Sequence, residues 1–471
     1  MSLSKTLLYS SLIAALGGLL FGFDTAVISG AEQELERIFY PFEDMTGRSQ
    51  SFWHGLLVAS ALIGTVMGAV LIGKPLDRFG RRTAMIALAV LYFVSATGSA
   101  LANCWYSFFF FRWLGGLAVG GASVVSPMYI AEISPARVRG RLVALAQFNI
   151  VLGILLAYLS NYVIGRMHLG ETEWRWMFGA EAFPAAAYFG LLFLCPRSPR
   201  WLVAKGRDDE ARGVLQQVGT DETTGGVDAE LASIRESLDA EHHNLEEPFF
   251  QAKYARPIML AVMIAAFNQL SGINAILYYS KRIFETAGFG EEASLLNSVG
   301  IGVVNLIFTM GALAVIDHFG RKKLMLIGSI GYIASLGAIA WAFYSQSELV
   351  PDASGELKRQ ISAWGGQVVL ASLVAFIAAH AFGQGAVIWV FISEIFPNRV
   401  RARGQALGSF THWIFAAVIS QTFPLFAEKS GGHIFAFYAL CMVGQLVWVL
   451  VKMPETKGVP LEQIQKELGI E

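Results

Sequence analysis

Three side-chain amides, Asn268, Gln269 and Asn274, fall within seven residues of an apolar run that starts near Ile258, and Tyr278 and Tyr279 follow one turn later. A polar group left without a partner in hydrocarbon costs roughly 2–7 kcal/mol. Gln269, Asn274 and Tyr278 therefore cannot all face lipid. On an unbroken helix, at about 100° per residue, Gln269 and Asn274 point about 140° apart. Gly272 between them offers a local break that turns both amides toward one polar cavity. Amides present donors and acceptors together, which suits a ligand rich in hydroxyls. A second chemistry sits elsewhere. Asp24 lies in the first apolar run and Arg112 near the start of the fourth. A lone carboxylate at such depth costs about 2.5–3.5 kcal/mol on insertion scales, so it needs a partner or a proton. Arg112 is the obvious partner. A carboxylate that alternates between paired and unpaired states can load and release a proton.

The elements that must position these groups follow from apolar length. The chain has 471 residues, of which 55% are hydrophobic and 15% charged, with a mean hydropathy of +0.52. Soluble domains carry about a quarter charged residues. Twelve spans can be drawn: 7–30, 52–73, 84–102, 108–130, 142–164 and 177–194, then 258–284, 296–316, 324–343, 367–392, 406–426 and 434–451. Each is about the length needed to cross a bilayer. The first is read as a transmembrane helix and not a signal peptide, because it holds Asp24 and lacks a small-residue cleavage site. Between the sixth and seventh runs the polar segment 196–256, in which 208–217 and 229–241 read as short helices.

Orientation follows from the basic residues. Lys74, Arg78, Arg81 and Arg82 follow span two, and Arg137, Arg139 and Arg141 follow span four. Arg321, Lys322 and Lys323 follow span eight, and Arg399, Arg401 and Arg403 follow span ten. Alternate loops are acidic or neutral, the first carrying Glu32, Glu34, Glu36, Glu43 and Asp44. The basic loops, the central polar segment and both termini share one face, expected to be cytoplasmic. The halves also repeat. Asp77-Arg78-Phe79-Gly80-Arg81-Arg82 matches Asp317-His318-Phe319-Gly320-Arg321-Lys322, and Glu132-Ile133-Ser134-Pro135 matches Glu394-Ile395-Phe396-Pro397. Topological charge explains the basic residues but not the repeated acids and glycines. Six-span repeats of this kind build two-bundle secondary transporters.

These motifs, with Arg112-Trp113-Leu114-Gly115-Gly116, Pro196-Arg197-Ser198-Pro199-Arg200-Trp201-Leu202, Gln269-Leu270-Ser271-Gly272-Ile273-Asn274 and Pro454-Glu455-Thr456-Lys457-Gly458, give the chain its resemblance. It resembles the sugar porters of the major facilitator superfamily over essentially its whole length. The resemblance implies an all-α membrane protein: twelve transmembrane helices in two pseudo-symmetric six-helix bundles with a cytoplasmic helical insert. The bundles are expected at 1–195 and 257–452, the insert at 196–256 and a cytoplasmic tail at 453–471.

The resemblance also implies roles. Gln147, Gln269, Asn274 and Asn305 match sugar-binding amides, and Trp389 and Trp413 match tryptophans lining the cavity. Tyr278 and Tyr279 look like a gate. Asp24 stands where proton symporters of the family carry Asp and facilitative transporters carry Asn, so Asp24 with Arg112 implies proton coupling. Asp77, Arg81, Glu132, Arg141, Asp317, Arg321, Glu394 and Arg403 are expected to form ion pairs between the bundles when the cytoplasmic side closes. The chain departs from the family at four places. Asn268 replaces a Gln, Gln384 takes the place of Trp or Pro, His412 that of Gln or Asn, and Arg197 that of Glu. The first three are expected around the substrate. Glu181 is a weaker proton candidate, expected instead to bond the cytoplasmic loops, and His380 reads as a satisfied core residue.

The expected activity is import of a monosaccharide with a proton by alternating access, with a facilitative uniporter, a transporter-like sugar sensor and a membrane enzyme as rivals. The net charge of -1 gives no reason to expect nucleic acid. Cys104, Cys195 and Cys441 offer neither a disulfide framework nor a metal pair. No nucleotide-binding loop Gly-x-x-x-x-Gly-Lys-[Ser/Thr] occurs, so ATP is not the expected driver. No cofactor or metal is expected. The partners are a monosaccharide, a proton and the lipid bilayer of the cell membrane, with the chain a monomer.

Overall fold

The computed structural model describes residues 4–39, 49–219, 226–244, 248–351, 357–427, 431–459 and 461–470. Glu43 and Asp44 lie outside these, and so does the side chain of Asp317. Among the described residues, twelve helical segments are long and apolar enough to cross a bilayer. They are Lys5–Ile38, Gln50–Leu71, Arg81–Leu101, Trp105–Ile133, Arg137–Gly165, Gly170–Leu194, Ala252–Tyr278, Glu291–Ile316, Arg321–Ser345, Ala363–Glu394, Arg399–Ala427 and Gly431–Val451, numbered here as spans one to twelve.

The first span differs most from the sequence reading. Its apolar run stops at Gly30, but the helix continues to Ile38. Glu32 and Glu36 thus belong to its last turns and not to a loop. Span seven is broken: one helix ends at Leu270, a second covers Ile273–Tyr278 and a third Ser280–Thr286. Gly272 sits at the break with φ +84°, a left-handed conformation open to glycine. Span ten is broken at Gly383, between helices Ala363–Phe382 and Gln384–Glu394.

The repeated loop motif has a local cause. Gly80 (φ +83°) ends the helix Gly73–Phe79 and precedes Arg81–Leu101. Gly320 (φ +89°) stands in the same way between Glu291–Phe319 and Arg321–Ser345. Each turn needs a positive φ, which excludes a β-carbon at little cost only for glycine.

The polar insert forms helices Pro199–Ala204, Asp208–Val218 and Gly226–Asn244. Arg212 pairs with Asp228 at 2.5 Å and Arg235 with Asp208 at 2.6 Å, joining the last two. A short antiparallel hairpin, Ser347–Pro351 with Leu357–Ile361, follows span nine and was not foreseen. The tail carries the amphipathic helix Leu461–Leu468, whose Ile464 and Leu468 are buried.

The chain divides into two compact units. The first comprises Met1–Asp24, Ala61–Ile154 and Phe178–Pro248; the second comprises Thr25–Ser60, Leu155–Met177 and Phe249–Glu471. The division cuts through spans one, two, five and six. In the first unit, spans two and four meet through glycines: a β-carbon on Gly116 or Gly120 would run into the carbonyl of Ala61 or Thr65. Small residues at this spacing let helices touch through their backbones.

Candidate functional site

In the second unit the broken span seven gathers its polar side chains. Asn268, Gln269 and Asn274 are all buried. The Gln269 amide donates to Asn268 Oδ1 at 3.0 Å and lies 3.2 Å from Nε2 of His412. With both N–H groups engaged, Gln269 keeps its Oε1 buried and without a protein partner. Asn274 keeps its Nδ2 in the same condition. One free acceptor and one free donor therefore stand on either side of the Gly272 break. A hydroxyl, which donates and accepts, satisfies both kinds of group.

Aromatic rings extend this cluster. The His412 ring centroid is 5.2 Å from Trp389 and 4.7 Å from Trp413, perpendicular to the latter. Further along the broken span, Tyr279 donates to the Ser420 carbonyl at 3.0 Å and stacks on Phe423 at 4.8 Å. Tyr278 is buried beside it. Asn305 is buried in span eight and accepts a long hydrogen bond, 3.4 Å, from Thr309 one turn on.

Gln384 is placed differently from expectation. It is fully buried, at 0% exposure, and its amide donates to Gln445 of span twelve. Gln445 in turn donates to Ser329 of span nine at 2.8 Å. Gln384 is thus engaged by neighbouring helices and not by the Gln269–His412 group. His380 is bonded to the Tyr332 hydroxyl at 2.6 Å, a satisfied core histidine.

In the first unit Asp24 and Arg112 meet. The Arg112 guanidinium donates to the Asp24 carboxylate through one N–H and to its backbone carbonyl at 3.1 Å through another. Both residues are buried, and Arg112 also lies over the Phe178 ring at 5.2 Å. Glu181 does not join the cytoplasmic loops as expected. It is buried beside Asp24, and its Oε1 has no hydrogen-bond partner. Two carboxylates therefore face one guanidinium, with the buried Tyr92 among their neighbours. Gln147, also in this unit, is half-buried in span five.

A second buried charge cluster lies in the second unit, at the C-terminal end of span one. Glu32 accepts two hydrogen bonds from Arg282, at 2.8 and 2.7 Å, and meets His54 Nε2 at 2.9 Å. Arg282 also binds Glu36. Ser29 and Ser280 share a hydrogen bond at 2.7 Å nearby, and Tyr158 donates to the Leu277 carbonyl at 2.7 Å. These contacts tie the ends of spans one, two and five to the pieces of span seven. Only one sequence signal could have pointed here: acids recurring at helical spacing, Glu32 and Glu36, directly after an apolar run.

The repeated loop motifs pair within each unit. Arg81 donates to Glu132 at 2.8 and 3.0 Å, and Ser198 donates to the same carboxylate at 2.5 Å. Arg321 donates to Glu394 at 2.7 and 3.1 Å, and Thr456 adds a bond at 2.6 Å. The sequence reading expected such pairs between bundles, whereas these bonds close inside one unit. A short arm explains it: each Arg follows the φ-positive glycine and reaches the acid of its own repeat. Asp77 and Arg141 are exposed, and Arg403 is half-buried. Arg197 lies 5.8 Å over the Trp201 ring, so its departure from Glu leaves a cation–π contact in place of an anion.

Comparisons with known proteins agree along the whole chain. A family profile described as "Sugar (and other) transporter" matches residues 10–468. The D-xylose-proton symporter of Escherichia coli is 36% identical, over 97% of this chain and 94% of the symporter. A glucose transport protein of Synechocystis is 37% identical, over 98% and 97%. The solved structure of the E. coli xylose transporter in a partially occluded, inward-open conformation superposes with a TM-score of 0.83 at 34% identity, covering 97% of this chain and all of that one.

Proposed function

This chain belongs to the sugar transporter family of the major facilitator superfamily, and on that premise we propose in what manner it binds its sugar and handles its proton. The protein is a multi-pass plasma-membrane transporter, not an enzyme, and it carries a monosaccharide with a proton by alternating access. The sugar is a hexose or a pentose. The chain acts as a monomer in the bilayer, with both termini cytoplasmic, as its basic loops require.

Gln269 and Asn274 bind the sugar hydroxyls. What carries this reading is the pair of buried groups without protein partners, Gln269 Oε1 and Asn274 Nδ2, on either side of the Gly272 break. A buried polar atom lacking a partner is costly, and a ligand hydroxyl removes that cost. Asn268 and His412 orient the Gln269 amide. Trp389 and Trp413 offer apolar faces to the C–H surface of a sugar ring. Gln147 and Asn305 join the sugar ligands on the resemblance of their helices, and Tyr278 and Tyr279 serve as the gate.

Asp24 carries the proton. With Glu181 beside it, two carboxylates share one guanidinium, so the buried cluster holds one uncompensated negative charge when both are ionised. Taking up one proton neutralises it. Arg112 holds Asp24 from two directions and so keeps the carboxylate at one place while its protonation changes. The repeated Arg81–Glu132 and Arg321–Glu394 pairs brace the cytoplasmic ends of their own units, and the Glu32–Arg282 cluster latches the opposite end of the second unit.

The test is a thermal-shift or competition panel on the purified protein with glucose, galactose, xylose, arabinose, fructose and inositol. At least one stabilises or competes if the reading holds. Binding by none of them contradicts it.

A further inference from the structure

We infer that Gln384, Gln445 and Ser329 form a brace that sets the bend of span ten and thereby the position of Trp389; the inference rests on the sugar reading above. Gln384 is the first residue after the break at Gly383, whose backbone (φ −94°, ψ −99°) has left the helical range. The break is pressed against span nine. A methyl on Gly383 would lie 3.0 Å from Gly328 Cα and 2.9 Å from the Ala379 carbonyl. The residue after Gly328 is Ser329, which accepts from Gln445 at 2.8 Å and donates to the Met325 carbonyl at 2.7 Å. Gln445 accepts from the Gln384 amide. One chain of hydrogen bonds thus runs from the break in span ten, through span twelve, to span nine.

All three side chains are fully buried, so water does not compete for these bonds. The half-helix Gln384–Glu394 begins at the braced residue and carries Trp389 five positions on. The Trp389 ring is 5.2 Å from His412, which in turn lies against Gln269. A rotation of the half-helix about Gly383 swings Trp389 across the sugar ligands. Misplacement by about 1 Å is enough to weaken a binding constellation. Gln384 is therefore a positioning residue, even though its Oε1 has no protein partner. What separates it from Gln269 is its place: its amide is bonded to Gln445 of span twelve and not to the Asn268–His412 group.

The experiment compares transport by the full chain in proteoliposomes for wild type, Gln384→Leu, Gln445→Leu and the double variant. Substrates are the preferred sugar and its monodeoxy analogues. Each single change raises KM about three- to ten-fold, the loss of about one hydrogen bond. The double variant is no worse than either single, because both remove the same chain. The loss is equal for every deoxy analogue, because no ring hydroxyl touches the brace. Additive losses overturn the inference. So does a Gln384→Leu loss that vanishes for one deoxy sugar, which marks a direct ligand. Should a Leu variant fail to fold, Ser329→Ala frees the far end while keeping the helix, and an unchanged KM in it overturns the brace. A wild type that transports no monosaccharide defeats the sugar reading itself; a transporting wild type with additive variants defeats only the brace.

Discussion

Arg112 grips Asp24 at two points, the side-chain carboxylate and the backbone carbonyl, and both residues are buried in the first unit. The second grip fixes the arginine even when the carboxylate is neutral. Arg112→Leu removes it and leaves Asp24 and Glu181 without a cation. Breaking a buried pair in this way costs about 3–5 kcal/mol. The expected outcome is a large drop in the thermal midpoint, recovered in part by adding Asp24→Asn. Midpoints of the single and double variants in detergent check it, and a double variant no more stable than Arg112→Leu would refute it.

Gln269→Ala removes a sugar-facing carbonyl and releases Asn268 and His412 from its amide. One to two hydrogen bonds at about 0.5–1.5 kcal/mol each correspond to roughly a two- to 150-fold weaker Kd. Equilibrium sugar binding reads this directly. His412→Gln keeps an acceptor near the Gln269 amide and should cost much less.

Gly272→Ala is expected to be disruptive out of proportion to its size. The left-handed backbone costs a non-glycine residue about 1–2 kcal/mol. The added carbon would also lie 2.5 Å from the Tyr438 ring. The thermal midpoint falls and sugar KM rises together, because Gln269 and Asn274 stand on either side of this turn. A change in one without the other would separate the break from the site.

Arg282→Met strips Glu32, at 0% exposure, of two of its hydrogen bonds and Glu36 of its partner. The latch reading expects easier opening of this end. A cysteine placed at the buried Ser29, which is hydrogen-bonded to Ser280, should be alkylated several-fold faster from outside in the Met variant. Equal rates would show that the cluster does not hold the end closed.

Much of this was legible in the sequence for a physical reason. Charges and amides are expensive in hydrocarbon, so Asp24, Arg112, Gln269 and Asn274 stand out against an apolar background, and the basic loops mark one face. The break at Gly272 could be read because a helix without it sends its two amides apart. What was hidden depends on partners distant in sequence. Glu181 sits 157 positions after Asp24, and its own surroundings do not reveal whether it faces that carboxylate or the loops. Glu32 looked like a loop acid because its neutralising partner, Arg282, is 250 positions away. Gln384 was expected around the substrate from the family position it occupies, and that position does not tell whether a sugar or Gln445 satisfies its amide.

The most direct measurement is sugar-driven proton movement. Proteoliposomes holding the wild-type protein and an internal pH dye receive the preferred sugar from outside, with no initial pH gradient. The lumen should acidify as sugar enters, and the Asp24→Asn protein should equilibrate sugar with no change in pH and no accumulation against a gradient. Sugar entry by wild type without acidification, or accumulation driven by a pH gradient through Asp24→Asn, would contradict the assignment of the proton to Asp24.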